Sequence, residues 1–268
     1  MILHITDTHF GTERPAVVRG LIDWARAHRP RLVVLSGDIT QRARTVQFGA
    51  AQLFLQDLCA ACGIDRARDV LIVPGNHDIP LFNPLARLID PYGGYARFAA
   101  QALNPLIRRD EVWLIGVNTT RPWRHKHGEI SNAQIERVAA RLQAAPAGAL
   151  RVVVTHQPLW VVERDDYQDR VRNHRAALRA WCAAGADLFL AGHIHQSFVA
   201  PVPGAEQGAW VVQTGTAVSS RIREQVPNTF HLIGAPGRQP EQRATVQRWD
   251  WHDGAFQRVA ESAIPVKE

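Results

Sequence analysis

Short apolar runs alternate with amphipathic stretches over the first two-thirds of the chain. Residues 2–5, 32–35, 70–73, 112–117, 150–154 and 188–191 are runs of mostly Val, Ile and Leu bounded by polar or turn residues, the signature of buried strands. Between them, helical periodicity covers 16–27, 46–62, a stretch from Ser131 to near Ala144, and 172–183. Pro30 closes the first of these, and Ser131 with Gln134 forms a capping box for the third. After residue 197 the pattern changes. Residues 197–202, 210–213, 229–233, 244–251 and 255–259 read as extended, separated by turns at Pro203-Gly204, 234–237 and Asp253-Gly254. The last of these predicts a hairpin. A βαβ-like first part and a mostly β last third predict an α/β protein with one domain over residues 1–268.

Composition narrows the class. The 268 residues are 46% hydrophobic, which is an ordinary globular balance. No apolar run approaches the roughly 20 residues of a membrane helix, so no membrane span is expected. The opening Met1-Ile2-Leu3-His4-Ile5-Thr6-Asp7 lacks a basic leader segment, and a cytoplasmic location is the expectation. Cys59, Cys62 and Cys182 are too few and too odd in number for a disulfide framework. Cys59 and Cys62 read as small apolar residues of the 46–62 helix, because no second pair completes a zinc site. The net charge of +6 comes almost entirely from arginine, without basic runs or an interleaved nucleic-acid signature. Nucleic acid is therefore not the expected partner, whereas attraction of a small phosphate-bearing anion is.

The chemistry concentrates at the ends of the strands. The first ends in Asp7-Thr8-His9, the second in Gly37-Asp38, and the third in Gly75-Asn76-His77-Asp78. The strand from Leu150 ends in His156, and the one from Leu188 in Gly192-His193-Ile194-His195. Open α/β sheets place their sites at that edge. Carboxylate, imidazole and amide oxygen donors suit borderline divalent ions such as Mn, Fe, Zn, Co or Ni. In Asp7-x-His9 and His193-x-His195 an extended backbone would point both side chains the same way, toward one ion or two adjacent ones. Each fragment is weak alone, but the five in order, each after a strand, predict a dinuclear metal site.

These motifs (D-x-H, G-D, G-N-H-D, H and G-H-x-H) resemble the calcineurin-like metallophosphoesterase superfamily over residues 2–228. Gly37-Asp38-Ile39-Thr40 and Gly75-Asn76-His77-Asp78-Ile79-Pro80 look similar to its bacterial branch of class III cyclic-nucleotide phosphodiesterases and glycerophosphodiesterases. The resemblance implies a four-layer α/β/β/α sandwich with two mixed sheets. It implies that Asp7, His9 and His195 hold one metal, that Asn76, His156 and His193 hold the other, and that Asp38 bridges them. It also implies that His77 meets the phosphate or leaving group and that Asp78 orients His77. The expected reaction is hydrolysis of a small-molecule phosphodiester, such as a cyclic nucleotide, by a metal-bridging hydroxide.

Charge adds a hint about the substrate. Two divalent ions against Asp7, Asp38 and a hydroxide leave about one net positive charge, which matches a diester. A dianionic monoester would need more, and Arg42, Arg44, Arg221 and Arg223 are the candidates to supply it. A phosphatase or pyrophosphatase acting on nucleotides or lipid precursors is therefore the alternative. A nuclease would need room for a capping domain, and a non-catalytic scaffold would have lost ligands that are intact here. The loop 121–128, with Trp123, His125 and His127, reads equally well as a substrate-facing wall or an exposed basic loop. The stretch 214–223 either closes the pocket or forms a strand pair. His4 reads as structural. The sequence also allows a homodimer.

Overall fold

The computed structural model of the protein describes residues 1–81, 83–124, 126–205, 208–223, 226–235 and 244–265. The first sheet contains β1 (Ile2–Ile5), β2 (Leu32–Leu35), β3 (Val70–Ile72), β10 (Thr229–Gly234), β11 (Ala244–His252) and β12 (Ala255–Ile264). The second contains β4 (Leu106–Arg109), β5 (Val112–Gly116), β6 (Leu150–Val154), β7 (Leu188–Ala191), β8 (Phe198–Pro201) and β9 (Trp210–Gln213). The helices are α1 (Pro15–His28), α2 (Thr45–Cys62), α3 (Arg66–Asp69), α4 (Pro84–Ile89), α5 (Gly93–Ala99), α6 (Asn132–Gln143) and α7 (His174–Ala183).

Strand order in the first sheet is β12-β11-β10-β1-β2-β3, and in the second β4-β5-β6-β7-β9-β8. In the first, β1, β2 and β3 run parallel, while β10 joins β1 antiparallel. In the second, β5, β6, β7 and β9 are parallel and the edge strands β4 and β8 antiparallel. Both sheets are mixed, as expected.

Alternation along each strand builds the layers. Leu3, Ile5, Val33 and Leu35 face α1 and α2, where they meet Leu21, Trp24, Leu55 and Leu58. Ile2, Leu32 and Val34 face the other way and pack with Leu114, Val152, Leu190 and Val212 of the second sheet. Ile115, Val153 and Phe189 in turn face α6 and α7, against Val138, Leu142 and Trp181. The result is helix, sheet, sheet, helix, with one apolar seam between the sheets. Cys59 and Cys62 are buried on α2 within the helix-side core. Among the described residues, no helix is long and apolar enough to cross a membrane.

The strand and helix expectations hold to within a few residues, with two differences. α3, α4, α5 and β4 were not expected, and they fill the segment between β3 and β5. β12 extends to Ile264, beyond residue 259. The Asp253-Gly254 turn is present, with both residues at positive φ (50° and 83°), as a tight hairpin requires. Part of the expected 234–237 turn lies outside the described residues.

Candidate metal centre

All five motif-bearing strands, β1, β2, β3, β6 and β7, run parallel within their sheets and deliver their loops to one edge of the sandwich. The loops are tied together by main-chain bonds: Asp7 N–H donates to Gly37 O (3.0 Å), His9 N–H to Asp38 O (3.0 Å), and Gly192 N–H to His156 O (3.1 Å). Two glycines make this approach fit. A Cβ on Gly75 would collide with the backbone and carboxylate of Asp38, and one on Gly192 with Thr6 and Asp7.

The backbone at the site is unusual. Asp7 (φ 50°), His9 (42°), Asp38 (49°), His193 (75°) and His195 (55°) all occupy the left-handed region. Each such non-glycine residue costs about 1 kcal/mol or more, and such strain persists where surrounding contacts over-determine it. The expectation of an extended backbone through Asp7-x-His9 and His193-x-His195 is therefore corrected. The left-handed turns send Asp7 and His9 to the same place but separate His193 from His195.

Two donor groups result. Asp7, His9 and His195 form one, and Asp38, His156 and His193 the other, the ligand atoms in each lying within 4.8 Å of one another. In the first, Asp7 Oδ1 is 3.2 Å from His195 Nε2 and 3.6 Å from His9 Nε2. The two ring nitrogens are 3.2 Å apart. In the second, His156 Nε2 lies 3.3 Å from Asp38 Oδ1 and 3.3 Å from Asn76 Oδ1. Asp38 faces both groups, because its Oδ2 is 3.7 Å from His9 Nε2. Donors bound to a common ion at ~2.1 Å sit ~3.0–3.4 Å apart, so these spacings suit divalent cations.

Hydrogen bonding aims the donors. A carbonyl can only accept, so His156 Nδ1 donates to Ser36 O (2.9 Å) and His195 Nδ1 to Arg221 O (2.6 Å). Each ring then turns its Nε2 lone pair into the cluster, the orientation metal-binding histidines take. Asp7 Oδ2 accepts from Thr6 Oγ1 (2.8 Å) and His193 N–H (2.9 Å). Asp7 Oδ1 and His193 Nε2 are buried without a hydrogen-bond partner among the described residues. Orphaned buried donors and acceptors are rare, and a cation would satisfy both.

The electrostatics carry the same imprint. Burial would raise the Asp7 carboxyl, but the His195 and His9 rings hold it well below the usual range. Asp38 is likewise lowered against burial, by His156 and His77. Burial opposes charge on His156, yet the Asp38 carboxylate lifts it to about 9. Burial, reinforced by the His156 charge, drives His193 down to about 3.

His77 sits beside the groups, its Nε2 4.0 Å from Asp38 Oδ2. Its main-chain N–H donates to Asp38 Oδ1 (2.8 Å), and its Nδ1 donates to Gln41 O (2.8 Å). Asp78 does not orient this ring, contrary to expectation. Its carboxylate accepts instead from Ile39 N (3.1 Å), Thr40 N (2.9 Å), Thr40 Oγ1 (3.1 Å) and Gly75 N (2.9 Å). Asp78 thus clasps the Asp38 and Asn76 loops together. Burial, followed by the nearby Asp38 charge, raises its pKa to about 6.

Above the donors opens a cavity of about 650 Å³, walled by Lys126, Asp166, Asp169, Arg221 and Arg223. The contribution of loop 121–128 is Lys126. Trp123 is 73% exposed and does not line the cavity, and His125 lies outside the described residues. The stretch 214–223 both closes the pocket and supplies the carbonyl that orients His195.

A family model described as calcineurin-like phosphoesterase matches residues 1–197. The chain belongs to the calcineurin-like phosphoesterase family. This family comprises metal-dependent phosphoester hydrolases with a dinuclear divalent centre, and the two donor groups are its candidate ligand clusters here. Among solved structures, this calcineurin-like phosphoesterase is similar to a dimetal phosphatase from Danio rerio (TM-score 0.66, 16% identity, 99% of this chain and 98% of that one). It is also similar to purple acid phosphatase PPD1 from yellow lupin (TM-score 0.71, 13% identity), covering 98% of this chain but 53% of the lupin protein. Vacuolar protein sorting 29 from Cryptosporidium parvum shares the fold more distantly (TM-score 0.50, 16% identity, 99% and 97% covered). These identities speak for the fold alone. No curated protein sequence matches.

Sequence reasoning missed the supports of the centre. The carbonyls of Ser36, Gln41 and Arg221 act through the backbone, and no residue identity announces them. Thr6 is legible only in hindsight, as a hydroxyl directly before Asp7.

Proposed function

We propose that this phosphoesterase hydrolyses small-molecule phosphodiesters, cyclic nucleotides among the candidates, at a centre of two divalent ions. In this reading it is similar to the class III cyclic-nucleotide phosphodiesterase branch. The observation that carries it is Asp38, whose two carboxylate oxygens face the two separate donor groups. Asp7, His9 and His195 would hold one ion, and Asn76, His156 and His193 the other, with Asp38 shared. Ions bound there supply Lewis-acid charge for the phosphoryl oxygens and an acidified water as nucleophile.

The chain's own residues do the rest. Thr6 and the His193 amide fix Asp7 so that Oδ1 alone faces the first group. Ser36 and Arg221 fix the rings of His156 and His195. His77 lines the cavity with Nδ1 committed to Gln41, so Nε2, which accepts from Arg221 here, is the nitrogen that would meet a departing alkoxide. Buried donors and apolar sheet surfaces beneath the cavity keep these positions rigid, which favours charge stabilisation without reorganisation.

A second reading, a monoesterase or pyrophosphatase, is favoured by Arg221, a cation at the cavity wall that would suit a dianion. The test is turnover, with defined metals, of bis-p-nitrophenyl phosphate, p-nitrophenyl phosphate and 3′,5′- and 2′,3′-cyclic nucleotides. Diesters are expected to be the faster substrates. A monoester that outpaces every diester would transfer the assignment to the second reading.

A further inference from the structure

We infer that Arg221 binds the substrate's phosphate directly, gripping a non-bridging oxygen from the cavity wall beside His77. The inference rests on the phosphoesterase reading above and adds a residue to it.

Three cations line the cavity, and two are already spoken for. Lys126 Nζ is 2.5 Å from Asp169 Oδ1, and Arg223 Nη1 is 2.6 Å from Asp166 Oδ1. Arg221 pairs with no carboxylate of the described residues. Its Nη1 donates to His77 Nε2 (3.2 Å) and Gln41 Oε1 (3.2 Å) and approaches His9 Nδ1 (3.5 Å). The His77 contact is a true donor–acceptor pair, because Nδ1 of that ring carries its proton toward Gln41 O. The His9 contact is long, and a ring bound through Nε2 would present an N–H at Nδ1, so it contributes little. Nε and Nη2 hold three more N–H groups without an acceptor among the described residues.

The guanidinium is therefore anchored on one nitrogen and open on the others. It is half-buried at the edge of a site whose other two cations are each held by a carboxylate, Asp169 or Asp166. That is the arrangement in which arginine recognises phosphate, two N–H groups meeting two oxygens in a fixed fork. Its own backbone secures the position, since Arg221 O accepts from His195 Nδ1 (2.6 Å). The side chain can thus be altered without moving that carbonyl.

The test uses the full-length, manganese-loaded protein. Wild type, Arg221→Ala and Arg221→Lys are compared for metal content, for steady-state kinetics on whichever phosphoester is turned over, and for inorganic phosphate binding by calorimetry. Arg221→Ala is expected to keep both metals and to raise KM and the phosphate Kd about ten- to a hundredfold. Arg221→Lys is expected to recover part of the loss, and added guanidinium to restore phosphate binding to the alanine variant. Unchanged phosphate affinity in Arg221→Ala overturns the inference, as does a wild type that binds no phosphate. So does a fall in kcat alone that vanishes in a His77→Ala background, because Arg221 would then act only through His77. A wild type inactive on every phosphoester defeats the phosphoesterase reading, while the calorimetry still judges Arg221.

Discussion

Asp38→Asn is the sharpest perturbation, because it keeps the shape of the side chain and removes its charge. The amide oxygen can still accept the His77 N–H that Asp38 Oδ1 accepts now. The two donor groups lose unequally. The first keeps the Asp7 carboxylate, whereas the second is left with Asn76, His156 and His193 and no anionic donor at all. A unit charge pair ~4 Å apart at an effective dielectric near 20 is worth about 4 kcal/mol. A divalent ion in direct contact with a carboxylate exceeds that, so about 4 kcal/mol is a floor, a thousandfold or more in Kd. Gel-filtered protein should therefore fall from about two bound ions per chain to about one by elemental analysis. Manganese titration by calorimetry should lose its weaker phase first, and phosphodiester turnover should drop by a factor of ~10³ or more. Retention of two ions with unchanged affinity would refute the shared carboxylate. Equal weakening of both ions would refute the assignment of Asp7 to the first group as a carboxylate of its own.

Two further outcomes follow from the same geometry. His77→Ala should leave metal content intact while slowing turnover by ~10²–10⁴, because the ring faces the cavity and not the interior of either donor group; elemental analysis showing loss of both ions would place His77 among the ligands. The second concerns stability and pH. His4 is buried between Ser36 Oγ (2.8 Å) and Thr214 Oγ1 (3.0 Å), and burial lowers its pKa to about 3 despite the opposing Asp7 charge. The unfolded chain takes up that proton near 6.5, so the contribution of neutral His4 is full above that pH and is lost as pH falls toward 3. By pH 4.5 the loss is on the order of 2–3 kcal/mol. Urea midpoints of metal-free protein should fall less between pH 7 and 4.5 in His4→Gln than in wild type, and parallel falls would show that His4 titrates normally. His156, raised to about 9, works in the opposite sense and is common to both proteins.

The sheets were legible because buried parallel strands are written as unbroken apolar runs, and the donor residues because each follows such a run. What failed to read has specific causes. α4 exposes Leu85, Leu88 and Ile89, so it carries no polar–apolar periodicity to betray it. β12 is an edge strand with mostly exposed side chains, and its second half lacks alternation. The left-handed turns at Asp7, Asp38 and His193 fall on non-glycine residues, which visit that region only in a minority of positions, so residue identity alone does not announce them. Asp78 was adjacent to His77 in sequence, yet the 3₁₀ turn at Asn76–Asp78 points its carboxylate back at the Asp38 loop. Arg221 meets His77 across a gap of 144 residues, a distance over which no local pattern carries information.

Neither donor group belongs to one sheet. Asp7 and His9 leave β1 while His195 leaves β7, and Asp38 and Asn76 leave β2 and β3 while His156 and His193 leave β6 and β7. Two cations here would act as rivets through both leaves of the sandwich, at the rim where its greasy filling gives way to water. Occupancy at a hundredfold excess over Kd would add ~2.7 kcal/mol per ion to holding the leaves shut. Chelation would therefore do more than silence the chemistry: it would unfasten the rim on which the whole arrangement of loops depends.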